Sequence, residues 1–187
     1  MIFPGHLSAG FLTACGVVAL AGPAGLHGPD VATLLIAGTL LGDAPDVDIL
    51  FYFFTKKTLG PGKLAAHRKY LTHAPLLWLI AGGVITGLSW LLGAGAFWQL
   101  TGLLVWLCPW SHFICDSIDC GIMWLWPFSE KQFAIFNAQE TLDAQRIPHP
   151  QRWQDLFVGY LKNPVAYIEM AVTIVALYTA AHLLTIL

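Results

Sequence analysis

The chain has 187 residues, of which 57% are hydrophobic and only 11% are Asp, Glu, Lys or Arg. Soluble domains carry roughly 25% charged residues, so this composition, with a mean hydropathy of +0.66, excludes a disordered chain and argues against a water-soluble globule. A formal net charge of −2 leaves no basic field for nucleic acid, and the length suits one integral membrane domain, residues 1–187.

Residues 4–22 are apolar but Gly-rich, and no Lys or Arg precedes them, so the start does not read as a typical secretory signal. Residues 31–41 are a second short apolar stretch. It runs into the turn Gly42-Asp43-Ala44-Pro45-Asp46-Val47-Asp48, which is followed by apolar residues 49–54. These segments predict a short N-terminal hairpin with its acidic turn at the membrane edge or within one leaflet. Residues 74–93 contain no charged side chain. Residues 95–115 contain none either, with one histidine, His112, and residues 165–187 contain one acid, Glu169. Each of these three approximates the roughly 20 residues that cross hydrocarbon. In the loop before the last span, Trp153, Leu156, Phe157, Tyr160 and Leu161 recur at i, i+3, i+4, i+7 and i+8. This spacing predicts an amphipathic segment over 151–161, lying on the inner leaflet or packed on the rest of the loop. The expected fold is all-α: a polytopic membrane bundle of about five spans, the first two short, with an interfacial amphipathic helix.

Five crossings put the N-terminus and the loops 55–70 and 116–164 on one side. All nine basic residues fall there: Lys56, Lys57, Lys63, Arg68, Lys69, Lys131, Arg146, Arg152 and Lys162. The positive-inside rule assigns that side to the cytoplasm. Cys15, Cys108, Cys115 and Cys120 show no metal-type pairing and read as small buried hydrophobes.

The polar residues that should be rare in lipid form four groups: His6; Asp43, Asp46 and Asp48; His67-Arg68 with Thr72-His73; and His112, Asp116 and Asp119. His112 and Asp116 are four apart, so on a helix they share a face and can share a metal. Asp46 and Asp48, in a Pro-initiated turn, can straddle a cation or orient a ligand histidine. In the five-span arrangement His6, Asp46, Asp48, His67, His73, His112 and Asp116 all lie at cytoplasmic helix ends. Seven candidate ligands exceed what one zinc takes and suit two ions, which in turn suit phosphoester hydrolysis. The donor types point to Zn, with Mn or Fe as alternatives. Each residue also has a plainer reading: His6 as a snorkelling or capping residue, Asp43 as a cap, His67 as a solvated loop residue, His112 and Asp116 as a structural ion pair. Asp119 divides between supporting the site and solvent. His27, Asp30, His149, His182 and Glu169 are expected outside the ligand set, although Glu169 could support it.

The motifs Pro45-Asp46-Val47-Asp48, His67-Arg68 with Thr72-His73, and Ser111-His112-x-x-x-Asp116 followed by Gly121 and Trp126-Pro127-Phe128 resemble those of the YdjM-like family. That family is described as inner-membrane, predicted metal-dependent hydrolases. An N-terminal histidine such as His6 belongs to the same pattern, and the resemblance covers roughly residues 1–137. It implies that His6, Asp46, Asp48, His67, His73, His112 and Asp116 correspond to the family's presumed metal-site residues. It also suggests a distant likeness to the all-helical zinc-dependent phospholipase C group.

The expected function is cleavage of a phosphoester in a lipid or lipid-like substrate, by a metal-activated water at the cytoplasmic leaflet of the inner membrane. Asp46, His112 and Asp116 would carry the chemistry and Arg68 would bind the phosphate. The partners expected are membrane lipids, not nucleic acid. The alternative is a metal-ion or small-solute transporter using the same cluster.

Overall fold

Proline and glycine set the helix limits. Pro4, Pro29, Pro75 and Pro164 each fall at the first or second position of a helix, where the missing N–H has no intrahelical role. Gly93 and Gly121, at φ 61° and 80°, follow helix ends in the left-handed region that a side chain disfavours. The computed structural model describes residues 3–22, 25–49, 54, 71–119, 121–135, 158 and 160–186. Among the described residues it contains five α-helices of eight or more residues and no strand: α1 (Phe3–Ala21), α2 (Gly28–Asp43), α3 (Pro75–Leu91), α4 (Ala96–Asp119) and α5 (Pro164–Ile186). Two short 3-10 turns, Ala44–Val47 and Leu71–His73, follow α2 and precede α3.

α4 is the central helix and packs on α1, α2 and α3, while α5 packs on α1. The main apolar core joins Ala14, Leu34, Leu100, Leu104 and Cys108, all buried. α1 and α2 meet through small residues at four-residue spacing, Gly10 and Ala14 against Gly38 and Gly42. A Cβ built on Gly10 would lie 2.6 Å from the Gly38 carbonyl oxygen and 2.7 Å from Gly42 Cα. Such backbone approach is the packing mode of helices in lipid. Beyond α4, Ile122 and Phe133 exchange both backbone hydrogen bonds, and Trp124 Nε1 donates to Ser117 Oγ at 2.8 Å, tying 121–135 onto the helix end.

The outward faces are apolar. On α3, Leu77, Ile80, Val84, Leu88 and Leu91 form an exposed stripe, and on α5 Ile174, Leu177, Tyr178 and Leu184 are exposed. Helices that are apolar on their open faces need an apolar surrounding.

The expected span pattern is corrected at the level of single helices. The stretch 4–22, expected to be one of two short spans, lies in the 19-residue α1, and Pro4–Ala21 and Pro164–Thr185 are the two described helices with both the length and the apolarity to cross a membrane. α3 has 17 residues because the chain turns at Leu92-Gly93, inside the apolar run. α2 has 16. α4 has 24, but it carries inward polar residues, among them His112, Asp116 and Ser117, which lower its hydropathy. Cys15, Cys108 and Cys115 are free, the last two buried. The amphipathic segment 151–161 lies outside the described residues apart from Val158, Tyr160 and Leu161.

Candidate metal centre

The start of α1, the end of α2, the start of α3, the end of α4 and the start of α5 meet at one end of the bundle. This follows from the chain's up-and-down course and brings four sequence-distant groups together. α1 supplies His6 from its first turn. The Pro-initiated 3-10 turn after α2 supplies Asp46, with Asp48 just beyond it. The turn before α3 supplies His73, and the last turns of α4 supply His112 and Asp116. His6, Asp48, His73, His112 and Asp116 are at most 3% exposed, and Asp46 is the more open member, with its side chain 13% exposed.

His112 Nδ1 lies 3.0 Å from the Gly42 carbonyl oxygen. A carbonyl only accepts, so Nδ1 carries the proton and Nε2 is aimed the other way. Nε2 has no hydrogen-bond partner. It faces Asp46 Oδ1 at 3.6 Å and Asp116 Oδ2 at 3.8 Å, both too long for hydrogen bonds. His73 repeats the arrangement. Its Nδ1 lies 2.8 Å from Asp48 Oδ2, which also accepts from Thr72 Oγ1 at 2.6 Å, and its Nε2 lies 3.3 Å from Asp46 Oδ1. His6 Nε2 lies 3.4 Å from Asp116 Oδ1, and its ring stacks on His112 at a centroid distance of 3.8 Å. Buried Phe113 backs the His73 and His112 rings at 6.1 and 5.8 Å. Burial pushes His73 toward losing its proton, but the carboxylates of Asp46 and Asp48 outweigh it and hold its pKa above the ordinary histidine value.

The donor set fits a divalent cation. Zinc bonds of about 2.0–2.2 Å at a tetrahedral angle separate neighbouring ligand atoms by about 3.3–3.5 Å. Four of the five imidazole–carboxylate separations among the described residues, those made by Nε2 atoms, run from 3.3 to 3.8 Å. Three overlapping groups hold donor atoms within 4.8 Å of one another: His6, Asp46 and His112; His73, His112 and Asp116; and Asp46, Asp48 and His73. A histidine whose far nitrogen is fixed by a carbonyl or carboxylate is the usual support for a metal-binding imidazole, and His112 and His73 are both held so.

Six of the seven expected ligands therefore converge. His67, the seventh, and Arg68 lie outside the described residues, as do Lys56, Lys57, Lys63 and Lys69. Asp43 ends α2 beside the cluster, half-buried, and belongs to none of the three groups. Asp119 ends α4, with its side chain outside the described set. His27 and Asp30 cap the start of α2 at the far end, the His27 N–H donating to Asp30 Oδ2 at 3.0 Å. His182 stacks on Tyr178 on the outside of α5. The Gly42 carbonyl was not legible in the sequence, since a backbone acceptor has no residue-type signature. Thr72 had no assigned role, and Glu169 was placed outside the ligand set, either interfacial or supporting the site. Glu169 is buried and bonded to the first turn of α1, and its signal was its place in an apolar helix.

Fold and site define an all-helical membrane protein with a buried His/Asp cluster of metal-binding type at one end of its bundle. The sequence matches the family described as YdjM inner membrane protein over residues 1–185, and the chain belongs to that family. The match includes α5, beyond the 1–137 that the motifs covered. Neither curated proteins nor solved structures yield a match.

Proposed function

We propose that this chain is a membrane-embedded, metal-dependent hydrolase that cleaves a phosphoester of a lipid or lipid-like substrate at the cytoplasmic leaflet. The observation that carries the reading is His112: a buried imidazole with its proton fixed on Nδ1 and a partnerless Nε2 turned toward two carboxylates. A lone pair facing carboxylate oxygens is repulsive unless a cation lies between them. The five donors His6, Asp46, His73, His112 and Asp116 exceed the four of a tetrahedral zinc site, which supports two ions, Zn first, with Asp46 shared between the groups of His112 and His73.

A divalent ion held there supplies Lewis acidity toward water and a phosphoryl oxygen. The chain's own residues do the rest. His6, Asp46, His73, His112 and Asp116 hold the ions, while Asp48 and the Gly42 carbonyl fix the tautomers of His73 and His112. Asp46, the open member of the cluster, faces the substrate and is suited to take the proton of the attacking water. Arg68, next to His67, would bind the phosphate bidentately. The five helices are read as five crossings, with the basic loops and the site on the cytoplasmic side. The gathering of His and Asp at one end favours hydrolysis over a carrier, which needs polar groups along its path.

The test is metal content of the purified protein together with hydrolysis of phospholipid and generic phosphoester substrates. The expected result is bound transition metal and turnover, both lost in His112→Ala and Asp116→Ala. Wild-type protein that takes up no transition metal, or turnover that survives in both variants, would overturn the reading.

A further inference from the structure

An acid inside an apolar helix is expensive, and Glu169, in the second turn of α5, is 4% exposed. Its two oxygens have separate partners. The Gly5 N–H donates to Oε1 at 3.0 Å across 164 residues of sequence, and the Tyr160 O–H donates to Oε2. Gly5 lies in the first turn of α1, whose N–H groups have no intrahelical acceptor and favour a carboxylate. α5 therefore caps α1 from outside. The fit leaves no room for a side chain at position 5: a Cβ there would lie 2.6 Å from Glu169 Cγ and 2.8 Å from Cδ. One turn further along, Ser8 Oγ lies 3.3 Å from Thr173 Oγ1, a second polar link between the same two helices.

The residue after Gly5 is His6, whose Nε2 lies 3.4 Å from Asp116 Oδ1 and whose ring lies on His112. α1 brings no other donor to the cluster, so the rotation and height of its first turn decide where that nitrogen points. We propose that Glu169 is a positioning residue for His6, gripping the Gly5 N–H so that the imidazole meets the metal centre. This rests on the metal-site reading above. Glu169 belongs to none of the three donor groups and acts through the backbone of α1.

The experiment is a Co2+ titration of the full-length, metal-free protein in detergent, read by affinity and by the visible absorption bands of bound Co2+. Thermal melting of the metal-free form is followed alongside. Glu169→Leu fills the space without an acceptor, and Glu169→Gln fills it and keeps a carbonyl oxygen for the Gly5 N–H. The expected result is a loss of Co2+ affinity on the order of 10–100-fold with shifted bands in the Leu variant, and wild-type-like affinity and bands in the Gln variant. Should the Leu variant fail to fold, Tyr160→Phe, which removes the hydroxyl donor to Glu169 Oε2, is expected to shift the bands in the same direction. Unchanged binding and bands in the Leu variant (or in Tyr160→Phe, where it stands in) overturn the positioning role and leave the metal site standing. So does a Gln variant as impaired as the Leu variant. Wild-type protein that binds no Co2+ overturns the metal-site reading and this proposal with it.

Discussion

At the scale of single residues, the cluster divides into groups that face its centre and groups that hold them. Asp116 is fully buried and faces both His6 and His112. Asp48 spends one oxygen on His73 Nδ1 and Thr72. The two acids therefore predict different losses. Asp116→Ala is expected to abolish metal binding, whereas Asp48→Ala is expected to weaken it by about 10–100-fold and leave a site that fills at higher metal concentration. Competition against a zinc chelator distinguishes the two, and equal losses would contradict the division. Much of this was legible in the sequence. The four-residue spacing of His112 and Asp116 predicted a shared face, and the Pro45 turn predicted that Asp46 and Asp48 could straddle a cation or orient a ligand histidine; both carboxylates meet His73. The division of labour between Asp46 and Asp48 was not legible, because it depends on which nitrogen of His73 each one meets. Glu169 was kept outside the ligand set, with a supporting role left open, because no motif surrounds it; one of its partners is a backbone N–H in a different helix.

At the scale of elements, two of the three glycines of α1 are contacts: Gly5 meets Glu169 and Gly10 meets α2. Glycine lowers helix propensity by about 1 kcal/mol, so a Gly-rich stretch such as 4–22 reads as a short helix. Against α2, Gly10 allows close approach instead. The prediction has opposite signs at two positions. Gly42→Ala would set a Cβ 2.6 Å from the His6 carbonyl oxygen, and is expected to destabilise by about 1–3 kcal/mol while weakening metal binding. Gly16→Ala meets nothing within 4 Å, and is expected to be neutral or to stabilise by up to about 1 kcal/mol. Thermal melting of both variants in detergent checks the pair, and a Gly42→Ala protein as stable as wild type would contradict the packing described. α4 was underread for the opposite reason. Its last turn, ending at Asp119, lies past the apolar run and is stopped by Gly121, so hydropathy alone ended the span at 115.

At the scale of the molecule, an up-and-down course places both helix-joining turns, before α2 and between α3 and α4, at the end opposite the cluster. In a cysteine-free background, a membrane-impermeant thiol reagent applied to intact spheroplasts is expected to label His27→Cys and Ala94→Cys and to spare Lys131→Cys. Equal labelling of positions 94 and 131 would contradict the alternation. The cluster also ties α1, α3 and α4 to the turn after α2, and a ligand that binds only the folded form stabilises it. Stripping metal with a chelator is therefore expected to lower the melting temperature by several degrees, and adding Zn2+ back to restore it. The all-helical class was legible because apolar runs are properties of long segments. The number of helices that qualify as spans by themselves was not, because it depends on where single turns and buried polar residues fall.

The contact between Gly5 and Glu169 also has a history. The two residues are 164 positions apart, and a ribosome adding about 5–20 residues per second separates their emergence by about 10–30 s. For that interval the first helix is in the bilayer without the carboxylate that caps it, and its opening N–H groups must find lipid headgroups or water at the membrane edge. His6 is thus among the first residues made and among the last to be set. On the positioning role proposed above, a ribosome that stalls before α5 leaves Asp46, His73, His112 and Asp116 together and His6 without the contact that aims it.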